Sequence, residues 1–321
     1  MVDYLKKAHI LNVNKYLPTE YVFVCCASFE KRCRTLPTAV DVAHIRKSYI
    51  IRNIDGEMSK KNEEHFKKIY EQLPKSTALE LHFDNSLEVL ERLQLIIRGL
   101  VVAKEDSVVV DISTFTHEVL LILIKIIYIN KNNFRNIFFI YNGAEKYESW
   151  LSKGCREVRN VIGYPGFFDP MQKYHLVILT GFEWERAIRL VDLLEPDILS
   201  VGIGKEPTNL NHQKNMTKFK NDFENWIKIL KNVRYKQFDF SCSRIDSTFF
   251  ALQKILIESP LDNFIFVPLN TKLSTISTAL VALRNSKVQV CYPIPEIYNM
   301  SYSEPSDNVS IIDFLEIDRQ S

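Results

Sequence analysis

The sequence predicts an α/β protein: two tandem Rossmann-like, doubly wound parallel-sheet lobes related by internal duplication. Three observations carry that prediction. Apolar β-branched runs alternate with stretches of helical periodicity along most of the chain. The alternation occurs twice. Short motifs also recur in the same order at a nearly constant offset.

The chain has 321 residues, which at roughly 150 residues per domain fits two domains. In the first half, strands are expected near residues 21–27, 48–53, 78–83, 107–112 and 135–141, with helices near 30–43, 59–73, 86–103 and 115–129. In the second half, strands are expected near 175–180, 198–203, 235–240, 263–268 and 287–292, with helices near 183–194, 211–231, 245–258 and 274–285. Continuous apolar strands of this kind are covered on both faces, as in parallel sheets. The boundaries read as a first lobe over 1–150, a junction over 151–174, and a second lobe over 175–321 that includes a C-terminal tail. The junction aromatics Trp150, Tyr164, Phe167 and Phe168 are expected to pack between the lobes. The tail from Ser301 reads as an edge strand or a cover.

The repeats can be followed residue by residue. Val22–Glu30, with Arg32 following, recurs as Leu176–Glu183 with Arg186 following; each copy is a strand, a small residue and Phe-Glu. Tyr141, Glu145 and Tyr147 recur as Tyr292, Glu296 and Tyr298. Between them, the run Val108–His117 corresponds to Phe264–Lys272, with Thr116-His117 set against Thr271-Lys272 and Pro268 in place of Asp111. The offsets are 153, 155 and 151 residues, close enough to argue common descent of the halves.

Composition narrows the function. There are 41 Lys+Arg and 39 Asp+Glu, a net charge of +2, with +2 in residues 1–150 and 0 in the remainder. Neither half has the basic excess that holds a long nucleic-acid backbone. A small phosphorylated ligand needs only a few local cations beside a helix N-terminus. The six cysteines lack C-x-x-C spacing and read as buried free thiols of a cytoplasmic protein. The greasiest stretch, Val119–Ile129, contains Lys125 and is too short to span a membrane, so it reads as a buried helix. Gly202-Ile203-Gly204-Lys205 builds neither a dinucleotide fingerprint nor a Walker A loop, since Pro207 and Leu199 stand where glycines belong. No motif points to a metal or a resident cofactor.

In doubly wound sheets ligands sit at the carboxyl ends of the strands. That rule picks out Ser28, Glu30, Arg32, Asp84, Asp111, Ser113, Thr116, His117, Tyr141 and Glu145 in the first half. In the second it picks out Glu183, Arg186, Lys205, Ser243, Arg244, Asn270, Thr271, Lys272, Ser274, Tyr292 and Glu296. Asn270-Thr271-Lys272 opens a helix with a hydroxyl and an ammonium, which suits a phosphate, although helix capping alone also favours these residues. Glu30 and Glu183 read as first-turn carboxylates complementing a helix dipole, or as groups that bind a ribose hydroxyl or act as a base.

At strand four the chain resembles the CRISPR-associated Rossmann-fold sensor domains (CARF), and its two-copy build resembles their fused relatives, the SAVED domains. The likeness lies in Asp111, Ser113, Thr116 and His117, in Thr271-Lys272, and in the loops holding Ser28 and Gly181. Both copies lack the turn glycines of that family, and no effector domain is evident. The resemblance implies a nucleotide-binding sensor for a cyclic or short oligonucleotide in a bacterial antiviral defence system, working with an effector protein partner. Ser28, Ser113, Thr116, Arg186, Arg244, Asn270, Thr271 and Lys272 are the expected ligand contacts, in a cleft shared by both lobes. Two other readings stay open. One is a hydrolase or glycosidase acting on a nucleotide, with Glu30, Asp111 and His117 as its acid–base set beside Asp84. The other is a non-catalytic interaction subunit of a multiprotein complex.

Overall fold

The computed structural model describes residues 4–56, 58–181, 183–207, 210–228, 233–301 and 303–320. They form two compact units: residues 1–146 with 303–321, and residues 147–302.

The first lobe begins with β1 (Leu5–His9), β2 (Tyr21–Ala27), the short helix α1 (Thr35–Ala39), β3 (Ile45–Asn53), α2 (Ser59–Gln72), β4 (Ser76–Leu81) and α3 (Ser86–Val102). It continues through β5 (Ser107–Asp111), α4 (His117–Asn130) and β6 (Asn136–Tyr147). The second lobe holds β7 (Ser152–Lys153), β8 (Glu157–Pro165), β9 (Tyr174–Leu179), α5 (Trp184–Leu194), β10 (Ile198–Lys205), α6 (Leu210–Ile227) and β11 (Arg234–Ser241). After these come α7 (Ile245–Glu258), β12 (Asn263–Pro268), α8 (Lys272–Arg284), β13 (Val288–Ile294) and β14 (Ile297–Tyr298). The chain closes with β15 (Ser303–Asp313) and α9 (Phe314–Gln320), which return to the first lobe.

The first sheet runs β1-β15-β6-β5-β2-β3-β4, the second β11-β10-β9-β12-β13-β8. From β6 to β4, and from β13 to β11, the pairings are parallel. Numbered within each lobe, both sheets have the Rossmann order 3-2-1-4-5. The architecture is therefore the one the sequence predicts, and the two lobes share a topology.

Two boundaries differ from expectation. The tail belongs to the first lobe: β15 lies between β1 and β6, and β1 pairs with it antiparallel from Leu5 opposite Ile312 to His9 opposite Asn308. The segment 151–174 is no free junction either, because β8 pairs antiparallel with β13 as an edge strand of the second sheet. Tyr164 is buried within that lobe, whereas Phe167 and Phe168 are exposed at 68% and 50%. The physical cause is the same in both cases. An open sheet edge leaves N–H and C=O groups unpaired, and the nearest extended segment covers it. Each lobe's sixth strand is thus the segment that follows the other lobe's fifth strand.

The cores follow the periodicity. Phe23, Cys25, Val109, Ile140 and Ile50 fill the middle of the first sheet, and Leu176, Ile178, Val201, Ile265 and Val267 that of the second. In α4 every residue from Glu118 to Ile124 is buried, as the apolar run predicts. The helix expected over 30–43 is instead a 3₁₀ turn at Lys31–Arg34 followed by α1. Pro37 lacks an N–H and is accommodated only in a first helical turn, so the α-helix starts at Thr35. All six cysteines are free, five buried and Cys155 half-buried.

Candidate functional site at the strand-order reversal

The strand order reverses between β2 and β5 in the first lobe and between β9 and β12 in the second. A crevice for a ligand is expected at their carboxyl ends. In the first lobe, Asp111 ends β5 and is buried. Its Oδ1 accepts from the Ser113 backbone N–H at 3.0 Å and from Ser113 Oγ at 2.5 Å. Ser113 Oγ in turn accepts from the Asn142 N–H at 2.9 Å, so this network ties the end of β5 to β6. Burial pushes the Asp111 carboxyl up to about 6, against the opposing pull of the Ser113 hydrogen bonds and the Arg32 charge. Thr114 Oγ1 donates to Cys26 O at 2.7 Å and closes β5 against β2. Thr116 caps α4, accepting from the Val119 N–H at 3.3 Å, and leaves His117 half-buried as the first helical residue.

The second lobe repeats the arrangement with other side chains. Asn270 Nδ2 donates to Thr180 O at 2.6 Å, and Asn270 Oδ1 accepts from the Thr271 N–H at 2.8 Å. Thr271 is buried; its Oγ1 donates to Cys242 O at 2.9 Å and caps α8 by accepting from the Ser274 N–H at 3.4 Å. Lys272 is then the half-buried first residue of α8. Gly181 follows β9 so closely that a Cβ built on it would collide with Leu269 O. Sheet register also refines the repeat. Val110 lies opposite Val24, and Phe266 opposite Val177. Val267, not Pro268, therefore stands where the first lobe has Asp111, and the first lobe's loop is one residue longer.

The Phe-Glu and Arg positions converge on a duplicated ion pair; Phe182 of the second copy lies outside the described residues. In the first lobe Arg32 Nη2 and Nε bind Glu30 Oε2 at 2.5 and 2.8 Å, Arg32 Nη1 donates to Asn142 O at 2.9 Å, and Ser303 Oγ donates to Glu30 at 2.8 Å. In the second, Arg186 Nη1 binds Glu183 Oε2 at 2.5 Å, its Nη2 donates to Pro293 O, and Ser152 Oγ donates to Glu183. Asn142 and Pro293 directly follow the repeated tyrosines, and Arg186 also sits 5.1 Å from the Tyr292 ring centroid. Each pair latches the end of strand one to the end of strand five. Glu30 and Arg186, expected to serve as a base and a phosphate ligand, are buried in these latches. Ser28 is buried too: its Oγ accepts from the Glu30 N–H at 3.3 Å, and its carbonyl accepts from His65 Nδ1 at 2.7 Å.

The remaining expected residues lie further out. Arg244 precedes α7 and pairs with Asp246 at 2.8 Å. Beside it Ser243 Oγ and Ser241 Oγ both donate to Glu206, and Lys205 pairs with Asp239 at 3.3 Å. Asp84 is exposed beyond β4, with β3 and β2 between that strand and β5, so it does not join Asp111 in an acid–base set.

One constellation was not anticipated. His175 Nδ1 lies 3.0 Å from Asp262 Oδ2, and its Nε2 lies 2.7 Å from Ser200 Oγ. The geometry is that of a Ser-His-Asp triad. Its members come from the start of β9, the early part of β10 and the residue before β12, at the edge opposite the strand-order crevice. Ser200 is 1% exposed and His175 0% exposed, so a substrate has no approach, and the trio satisfies a buried histidine. Sequence gives no signal for it, because the three residues are far apart along the chain. Among the described residues, no group of three or more His, Cys, Asp and Glu is placed to hold a metal ion, and no helix is long and apolar enough to cross a membrane.

No family model matches the chain, and no curated protein matches it. Solved structures similar to it include the binary complex of leucoanthocyanidin reductase with NADPH from Vitis vinifera, at 12% identity over 83% of this chain and 88% of that one, with a TM-score of 0.27. The UDP-GlcNAc 2-epimerase from Methanocaldococcus jannaschii has 11% identity over 89% and 96%, with a TM-score of 0.26. A periplasmic solute-binding protein from Actinobacillus succinogenes with bound D-allose has 11% identity over 76% and 77%, with a TM-score of 0.22. Scores this low carry neither fold nor ligand across to this chain, whose architecture rests on its own strand order.

Proposed function

We propose that the protein is a nucleotide-binding sensor of the CARF/SAVED kind, taking a cyclic or short oligonucleotide at the strand-order reversals and working in the cytoplasm with an effector partner in antiviral defence. One observation carries this reading. In each lobe a short loop leads from the strand beside the reversal to a threonine-capped helix whose first residue is a half-buried His117 or Lys272. The positive end of a helix dipole and a basic side chain beside it together favour a phosphate. Lys272 and His117 are assigned to the phosphates and Arg244 to the outer rim. Ser113, Thr116, Asn270 and Thr271 shape the loops. Ser28 supports its loop from beneath, and Arg186 positions the end of β13.

The test is thermal shift and native mass spectrometry of the intact protein against cyclic oligonucleotides and mononucleotides. A bound ligand raises the melting temperature, and Lys272→Ala weakens its binding about tenfold or more, the worth of one charge-assisted hydrogen bond. Folded protein that binds no member of the panel overturns the reading. The second reading, hydrolysis of the nucleotide, draws no support from Asp111, whose buried carboxyl holds the Ser113 loop rather than facing a ligand.

A further inference from the structure

The second lobe interrupts the first. The chain leaves the first lobe after β6 and returns at Ser303, where β15 completes the first sheet. The two crossings are tied together at a neck within the second lobe. There β7 pairs with β14, Lys153 opposite Ile297 and Ser152 opposite Tyr298. The Asn299 N–H donates to Leu151 O at 2.9 Å, Asn299 Nδ2 to Trp150 O at 3.0 Å, and the Glu296 N–H to Lys153 O at 3.1 Å. A folded second lobe therefore holds the two pieces of the first lobe at a fixed separation. A folded first lobe, by placing β15 beside β6, does the same for the ends of the second. Unfolding the second lobe leaves the first closing a loop of roughly 150 residues, whose entropy cost grows with the logarithm of its length. Unfolding the first leaves the continuous second lobe with two free tails and removes the restraint on its ends.

We propose that this mutual chain closure through the β7–β14 neck couples the lobes, so that whatever stabilises one stabilises the other. Reciprocity follows from linkage. A ligand held at one crevice then strengthens the lobe that does not touch it, independently of what the ligand is.

The intact chain supplies its own reporter. Its three tryptophans, at positions 150, 184 and 226, all belong to the second lobe, so their fluorescence follows that lobe alone in urea. Leu121→Ala, in the fully buried part of α4, weakens the first lobe; Leu36→Ala is added if circular dichroism shows that lobe still folded ahead of the tryptophan transition. The expected result is a tryptophan midpoint at lower urea than in the parent. The second arm introduces Lys153→Cys and Ile297→Cys in a Cys155→Ser background. The two positions face each other and are exposed, and their disulfide closes the ends of the second lobe without help from the first. With that bond formed, the first-lobe substitutions leave the tryptophan midpoint unmoved, and reduction restores the shift. A midpoint indifferent to loss of the first lobe overturns the proposal. So does an equal shift with the disulfide closed, which would place the coupling elsewhere.

Discussion

Glu30 and Arg32 are both buried, each about 5% exposed at the side chain. Removing one member of such a pair strands the other charge, so Glu30→Ala should lower unfolding free energy by about 3–5 kcal/mol. Glu30→Gln, which keeps an acceptor for Ser303 and Arg32, should cost less; urea titration of the two variants checks the order. Sequence reading found the glutamates because they repeat, but weighed them as first-turn or catalytic groups. In the first lobe the partners that complete the pair, Ser303 for Glu30 and the Asn142 carbonyl for Arg32, are distant in sequence. Asp111 works in the opposite sense to the usual carboxylate. Its value in the folded protein is raised from 3.8 to about 6, so its contribution to stability is fully present below 3.8 and is lost as pH rises through about 6. Asp111→Asn should remove that part of the pH profile.

At the scale of elements, the capping threonines were legible, because a hydroxyl before an apolar run is a local signal. Their environments were not. Thr116→Ala loses a cap worth about 1 kcal/mol, whereas Thr271→Ala also loses the buried bond to Cys242 O and should lower the melting temperature more. Differential scanning calorimetry of both variants separates them. The ten core strands lie close to where the sequence put them, since each carries its own apolar run. β15 begins Ser-Glu-Pro-Ser-Asp-Asn, which reads as loop, and becomes strand only because it enters the gap between β1 and β6. Such non-local pairing has no local signature. The tail, read as an edge strand or cover of the second lobe, is therefore an inner strand of the first sheet, and β8, read as junction, is an edge strand of the second.

For the whole molecule, acid sensitivity follows from buried histidines. Burial lowers His65, His175 and His212, the last to about 4, from an ordinary 6.5. The unfolded chain therefore takes up protons first, and stability present above pH 6.5 is lost as pH falls toward about 4. Asp111 opposes this below pH 6, but three histidines outweigh one carboxyl. Melting temperature should fall between pH 6.5 and 4, and His212→Gln should flatten that fall.

Gly181 has a consequence for engineering. Because even a methyl group there would strike Leu269 O, alanine at 181 is a wedge that fits only if the loop carrying Asn270 backs away. The ease with which the chain tolerates it is a direct gauge of how much play the second crevice has.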